Sequence, residues 1–280
     1  MSEQLLEVKD LRVRFGGGRD IFLRKKEHFE AVRGVDLTVR RGESFAIVGE
    51  SGAGKSTVAK CIVGLQVPTS GEISFAGAPL RPAKDSDQRR AIQMVFQDPY
   101  GSLNPRMTVG SAIGELLRVN GMVEGKAAAR ARTAELLEMV GLPAEAMGKR
   151  PRAFSGGQRQ RIGIARALAI NPTLLVADEP VSALDVSIQA SILILLKRLQ
   201  RELGLTMIFI SHDLAVVKQL CDRVAVMNDG IVVESGTVGA VLAQPKDAYT
   251  QKLLEATTEL PPIEISRLGS VAASPSETPG

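Results

Sequence analysis

The stretch Gly49-Glu50-Ser51-Gly52-Ala53-Gly54-Lys55-Ser56-Thr57 constrains this chain more than any other. Before it, Ser44-Phe45-Ala46-Ile47-Val48 reads as a short buried strand; after it, Thr57-Val58-Ala59-Lys60-Cys61-Ile62-Val63 has no helix breaker and reads as a helix. Strand, glycine loop and helix with the spacing G-x-x-x-x-G-K-S predict a loop that binds phosphate. Gly49, Gly52 and Gly54 let the backbone turn tightly and bring successive N–H groups onto phosphate oxygens. The start of the helix presents unsatisfied amides and a positive dipole end to the same anion. Lys55 is then expected at the β- and γ-phosphates, and the Ser56 hydroxyl on Mg²⁺. A glycine-rich turn before an ordinary helix is the competing reading, but the full pattern in its strand and helix context is far more restrictive.

A chain of 280 residues buries a sizeable core and is long enough for one large domain or two small ones. With 44% hydrophobic and 24% charged residues it falls among soluble globular proteins, not disordered or fibrous ones. Its two cysteines, Cys61 and Cys221, lie far apart with no metal-ligand spacing, which points to small core hydrophobes and away from a disulfide framework or a zinc site. The first residues, Met1 to Glu7, lack the pattern of a secretory leader. The most apolar segment, Ile188 to Leu196, is interrupted by Lys197 and Arg198 and falls short of a bilayer span. A net charge of +4 with both signs interspersed argues against a nucleic-acid footprint. Arg24-Lys25-Lys26 reads as a solvated loop, with a contact to anionic lipid or a membrane partner as the alternative.

In chain order, Leu6, Val8, Leu11, Val13 and Phe15, then Val35, Leu37 and Val39, alternate as antiparallel strands around a polar loop opened by Gly16-Gly17-Gly18. Pro68 to Gly71 is a turn, Glu72 to Phe75 a strand, Gly77 to Asp87 a polar connection, and Ala91 to Phe96 a strand ending at Gln97. From Thr108 to about Val140 the pattern becomes helical: Val109, Ile113, Leu116 and Leu117 mark one face, Ala134, Leu137, Met139 and Val140 another. Ser155 reads as the N-cap of the next helix. Leu174 to Ala177 is an apolar run ending in Asp178-Glu179, as in a strand buried on both faces whose carboxyl end opens on a ligand crevice. A helix from Val186 to about Leu203 precedes the strand Thr206 to Ile210, then Ser211-His212-Asp213. Asn228-Asp229-Gly230 between two short strands signals a hairpin, and Pro261 to Gly280 reads as a mobile tail.

Gln97, Ser155-Gly156-Gly157-Gln158, Asp178-Glu179, Ser182-Ala183-Leu184-Asp185 and His212, in this order behind the phosphate loop, resemble the ATP-binding subunit of an ATP-binding-cassette (ABC) transporter over roughly residues 5 to 256. The Ser-Gly-Gly-Gln signature is the most specific part. Phe96-Gln97-Asp98-Pro99-Tyr100-Gly101-Ser102-Leu103-Asn104-Pro105 is similar to the glutamine-loop region of dipeptide, oligopeptide and nickel importers, and Tyr249-Thr250-Gln251-Lys252-Leu253-Leu254 to the extension after their core. There the chain departs from the pattern, with Asp247-Ala248 where a His-Pro pair usually precedes the tyrosine.

The resemblance implies an α/β fold, a P-loop NTPase (RecA-like) core with a mixed sheet, an N-terminal antiparallel β-subdomain and an inserted α-helical subdomain. It divides the chain into an ATPase domain at 1–256, with the helical insertion at about 108–153, and a C-terminal extension at 244–280. It implies ATP and Mg²⁺ as ligands, with Gly49 to Thr57 around the phosphates. Asp178 suits the metal through its water shell, and Glu179 suits orienting and polarising the attacking water, since neighbouring side chains on a strand diverge. Gln97 bridges metal or water to the insertion, and His212 contacts the γ-phosphate and fixes Glu179 and water. Phe15 stacks on adenine or simply faces the core, with Phe22 and Phe29 as weaker candidates. Ser155, Gly156, Gly157, Gln158 and Asp185 serve the nucleotide held by an opposite subunit, identical or homologous, so that two cassettes pack head to tail over two ATP molecules. The implied setting is the cytoplasmic face of a bacterial inner membrane, with two transmembrane permease subunits and an extracytoplasmic substrate-binding protein importing peptides or a related solute. The alternative is a soluble cassette ATPase remodelling a nucleic-acid or ribosomal complex.

Overall fold

Residues 3–16, 28–81, 85–98, 101 and 103–256 are described by the computed structural model. The readings of Arg24-Lys25-Lys26, Phe22 and the tail beyond 256 lie outside them.

The alternating front of the chain forms β1 (Gln4–Phe15) and β2 (Phe29–Arg40), which pair antiparallel; β4 (Ser70–Phe75) adds to the other side of β1, and the short β5 (Ala78–Pro79) to β4. The apolar runs form a second sheet in the order β10-β9-β3-β8-β7-β6. Its members are β3 (Ser44–Val48), β6 (Ile92–Val95), β7 (Leu174–Asp178), β8 (Thr206–Ser211), β9 (Arg223–Asn228) and β10 (Ile231–Thr237). All neighbours in it are parallel except β9 and β10, joined by the hairpin at Asn228 to Gly230. Asp229 and Gly230 both have positive φ (46° and 80°), as a right-handed two-residue hairpin turn requires.

Strand alternation assigns the two faces of this sheet to two cores. Phe45, Ile47, Val176, Ile208 and Ile210 pack with the front sheet and with Val58 and Ile62 of helix α1 (Lys55–Ile62). Ala46, Val48, Leu175, Ala177 and Phe209 point the other way, onto the helices of the opposite layer. The polar connection after Gly77 is more ordered than its composition suggests. It holds β5 and the helix α2 (Ser86–Ala91), whose N-cap Asp85 accepts the N–H groups of Asp87 and Gln88. Ala91 therefore ends a helix instead of opening a strand.

Between β6 and β7 come α3 (Val109–Val119), α4 (Gly125–Met139) and α5 (Gly156–Leu168). On α4 the buried face is Ala129, Thr133, Leu136 and Leu137, one step round from the expected face through Ala134 and Met139, both of which are only partly buried. The Thr133 hydroxyl donates to the Ala129 carbonyl (2.7 Å), so a residue that reads as polar lies at the interface with no unpaired group. α6 (Val186–Leu203) and α7 (Leu214–Leu220) flank β8, and α8 (Val238–Ala243) and α9 (Ala248–Glu255) follow β10. Asp247 caps α9, accepting the Tyr249 N–H at 2.8 Å, so the departure from His-Pro supplies a good N-cap.

Candidate active site

β6, β7, β8 and β3 are adjacent and parallel, so their carboxyl ends line one edge of the sheet. Gln97, Asp178-Glu179, His212 and the glycine loop follow those four ends, where open parallel sheets bind ligands. The loop needs its glycines for space: a Cβ on Gly49 would run into the Met227 carbonyl, and one on Gly54, whose φ is 95°, into that of Ala31. This close packing brings the start of β2 against the loop.

Lys55 opens α1 and is almost wholly buried, at 4% exposure. Its ammonium donates to the carbonyls of Gly49 (2.8 Å) and Glu50 (2.9 Å), and Glu179 Oε1 lies at 3.9 Å. Burial pushes the Lys55 ammonium below the ordinary lysine range, opposed by the charges of Glu179 and Asp178. The Ser56 hydroxyl donates to Asp178 Oδ1 at 2.9 Å. Burial pushes the Asp178 carboxyl up, the Ser56 hydrogen bond opposes that and the Glu179 charge adds to it.

Glu179 is turned away from Asp178 by a backbone in the left-handed region (φ 43°), a conformation that costs on the order of 1–3 kcal/mol and collects at functional sites. The hydrogen bond from its N–H to the Ile210 carbonyl (3.1 Å) holds the turn. The carboxylate then faces Gln97 Nε2 at 3.3 Å and His212 Nδ1 at 3.5 Å. Gln97 also donates to the Ser182 hydroxyl at 3.2 Å; Ser182 belongs to the Ser182-Ala183-Leu184-Asp185 motif but was not among the expected site residues. Six expected residues thus converge: Lys55, Ser56, Gln97, Asp178, Glu179 and His212.

The other candidates stand elsewhere. Ser155 and Gln158 form a reciprocal capping box at the start of α5: Ser155 Oγ accepts the Gln158 N–H (3.3 Å) and Gln158 Oε1 the Ser155 N–H (3.1 Å). Gly156 and Gly157 face Leu184 and Ile188 so closely that a Cβ on Gly157 would run into the Ile188 side chain. Asp185 caps α6, accepting the Ser187 hydroxyl (2.8 Å) and the Ile188 N–H (3.1 Å). The Ser187 bond, then that from Ile188, holds its carboxyl below the usual carboxylate range.

Phe15 is 41% exposed, which corrects the core-facing alternative. It is the last residue of β1 and pairs with Phe29, the first of β2 and itself 63% exposed. Phe29, a weaker candidate from sequence, is thus the cross-strand neighbour of Phe15. The loop also has a distant partner: the Glu50 N–H donates to the Tyr249 hydroxyl at 2.8 Å. Nothing short of the fold brings those two together.

Known proteins are similar to this chain in sequence and fold. The family described as ABC transporter matches residues 32–182. The oligopeptide transport ATP-binding protein OppF of Lactococcus lactis is 46% identical over 95% of this chain and 83% of its own length. The putative oligopeptide transport ATP-binding protein YkfD of Bacillus subtilis is 47% identical over 89% and 75%. Among solved structures, cbiO1 of Clostridium perfringens, part of the transporter complex cbiONQ, is 30% identical with a TM-score of 0.74, covering 86% of this chain and 92% of that one. The ATP-binding cassette MJ0796, solved as a dimer with ADP and phosphate, is 32% identical with a TM-score of 0.72 over 84% and 99%. The chain belongs to the ABC transporter family, of which it is an ATPase cassette.

Proposed function

We propose that this chain hydrolyses ATP at the edge formed by β3, β8, β7 and β6 and so drives the import of oligopeptides. The observation that carries the site is the convergence of Lys55 and Ser56 with Asp178, Glu179, Gln97 and His212. Transport is favoured over remodelling of a nucleic-acid complex by relatives 44% to 47% identical that are named oligopeptide transport ATP-binding proteins.

On nucleotide binding the Lys55 ammonium keeps the Gly49 and Glu50 carbonyls and turns its third N–H to the β- and γ-phosphate oxygens, while the N–H groups of Gly52 to Thr57 close round them. Ser56 and Asp178 present oxygen donors to one another at 2.9 Å, a set that suits a hard cation. Mg²⁺ held by Ser56, Gln97 and, through water, Asp178 would supply charge neutralisation of the phosphates. Glu179 accepts the proton of the attacking water, while His212 and Gln97 hold its carboxylate in place. Phe15, with Phe29 beside it, gives the adenine an exposed aromatic face.

Ser155 to Gln158 and Asp185 serve the nucleotide of a second cassette packed head to tail, identical or homologous. The capped start of α5 is a suitable anion partner. Closure follows from the tighter binding of ATP to the closed pair, and hydrolysis reopens it. We assign 1–256 to the ATPase domain, with 108–153 as its helical insertion, and 244–280 to an extension. Among the described residues no helix is long and apolar enough to cross a membrane. The path for cargo therefore belongs to two permease subunits, supplied by an extracytoplasmic binding protein, with this chain on the cytoplasmic face of a bacterial inner membrane. A groove of about 580 Å³ supports their attachment: it joins Leu65 after α1, Met94 and Phe96 beside Gln97, and Leu116 and Val119 of α3. Leu65 and Val119 expose 62% and 77% of their surface there, and an occupant would touch both sides of the Gln97 junction.

Lys55→Ala tests the site. It should weaken ATP binding and abolish phosphate release, and wild-type affinity and turnover in that variant would refute the assignment.

A further inference from the structure

We propose that Tyr249 is a positioning residue for Lys55, acting through the Gly49–Glu50 peptide; the proposal rests on the reading of that loop as the ATP site. The Glu50 N–H donates to the Tyr249 hydroxyl at 2.8 Å, and the Gly49 carbonyl accepts the Lys55 ammonium at 2.8 Å. These two groups belong to one peptide unit. A trans peptide is a rigid plate with its N–H and C=O on opposite edges, so the plate is held at one edge by Tyr249 and at the other by Lys55. Turning the carbonyl away from Lys55 breaks the bond to Tyr249. Glu50 contributes a second carbonyl to Lys55 (2.9 Å), which the same plate orients from its N-terminal side. The glycine that gives the loop its tight entry also leaves that entry free to rotate, and a hydroxyl from another part of the chain restrains it.

The hydroxyl is itself held in place. The Glu234 carboxylate on β10 accepts the N–H groups of Lys246 (3.0 and 3.2 Å) and Asp247 (3.1 Å). The Asp247 side chain caps α9 on the Tyr249 N–H, the Tyr249 ring packs against the core, and Leu253 one turn on is buried. The N-terminal end of α9 is fastened both to the sheet, through Glu234, and to the phosphate loop, through Tyr249. In this chain α9 thus preorganises the nucleotide site, and the lysine pays less reorganisation when phosphate arrives.

The test is an equilibrium titration of the full chain with a fluorescent ATP analogue and Mg²⁺, for wild type, Tyr249→Phe, Glu234→Ala and the double variant, alongside melting temperatures without nucleotide. Phe keeps the ring and its packing and removes only the acceptor. A hydrogen bond's net contribution makes the expected rise in Kd roughly two- to tenfold for Tyr249→Phe. Glu234→Ala should raise Kd in the same direction, and the double variant should fall short of the product of the two factors, since both act through α9. An unchanged Kd in Tyr249→Phe, even with a lower melting temperature, overturns the proposal and leaves the tyrosine a packing role. Full multiplicativity in the double variant overturns the link through Glu234. Wild-type protein that binds no analogue, or Lys55→Ala that binds it normally, instead defeats the reading of the loop as the ATP site.

Discussion

On the proposed mechanism, replacing Glu179 by Gln should separate binding of ATP from its hydrolysis. The side chain is 15% exposed and nearly isosteric with its replacement, so packing is preserved. Two of its polar neighbours respond differently. The amide oxygen continues to accept from Gln97 Nε2, which lies 3.3 Å away, but the amide nitrogen then turns toward Lys55, 3.9 Å from the carboxylate, and the opposite charges there are lost. At an effective dielectric constant of about 20, such a pair attracts by about 4 kcal/mol before desolvation is subtracted. Lys55, already held low by burial, loses a counter-charge in the free protein and recovers one only from phosphate. ATP should accordingly bind at least as tightly, since a γ-phosphate placed as proposed would no longer face the Glu179 charge. Asp178 and Ser56, paired at 2.9 Å, are untouched. Hydrolysis suffers because an amide accepts no proton from water: general-base assistance is typically worth ~10²–10⁴-fold, or about 2.7–5.4 kcal/mol of barrier. Phosphate release should drop by that factor while the ATP-induced rise in melting temperature stays at or above that of wild type. Light scattering in ATP should show accumulated dimer, using the assembled transporter if the isolated chain does not associate. Turnover near wild type would refute the role of Glu179, and loss of the ATP-induced shift would move it into ground-state binding.

If α5 addresses the partner's nucleotide as proposed, Ser155→Arg should leave ATP binding to the isolated chain intact and stop hydrolysis. It also removes a capping box, at a cost of about 1 kcal/mol seen as a lower melting temperature. Ser155→Ala, which shares the capping loss, is the control, and impaired binding in the monomer with normal dimer closure would contradict this geometry. Cys61 is 3% exposed and burial pushes its thiol up to about 11, so alkylation at pH 8 should proceed only in denaturant. As the folded value lies above the ordinary 9.0, this thiol's contribution to stability is complete below pH 9 and is lost as the pH rises toward 11. Rapid labelling of the native protein at pH 8 would refute that burial.

The sequence by itself determined those parts of the protein whose physics is local or periodic. Glycines at fixed spacing before Lys55 can serve few purposes, and a wholly apolar run ending in Asp178-Glu179 names a strand buried on both faces together with the edge where it ends. Ser155 ahead of a helical run announced its cap, and the structure added Gln158 as its reciprocal partner. The α4 face was less legible because Thr133 satisfies its hydroxyl within the helix and so passes into the interior, where hydropathy would not place it. Phe15 shows the limit of alternation: it continues the spacing of Leu11 and Val13, yet as the last residue of β1, opposite Phe29, it is exposed. Only the tertiary structure decided which neighbours share the candidate site's edge of the sheet. The left-handed backbone at Glu179 aims its carboxylate at Gln97, His212 and Lys55, and it persists because β8 grips the Glu179 N–H through Ile210. Tyr249 meets Glu50 across 199 positions of chain because Glu234 and the Asp247 cap hold α9 against the sheet. A contact between residues so far apart depends on how whole elements pack, and no local pattern of residues encodes that.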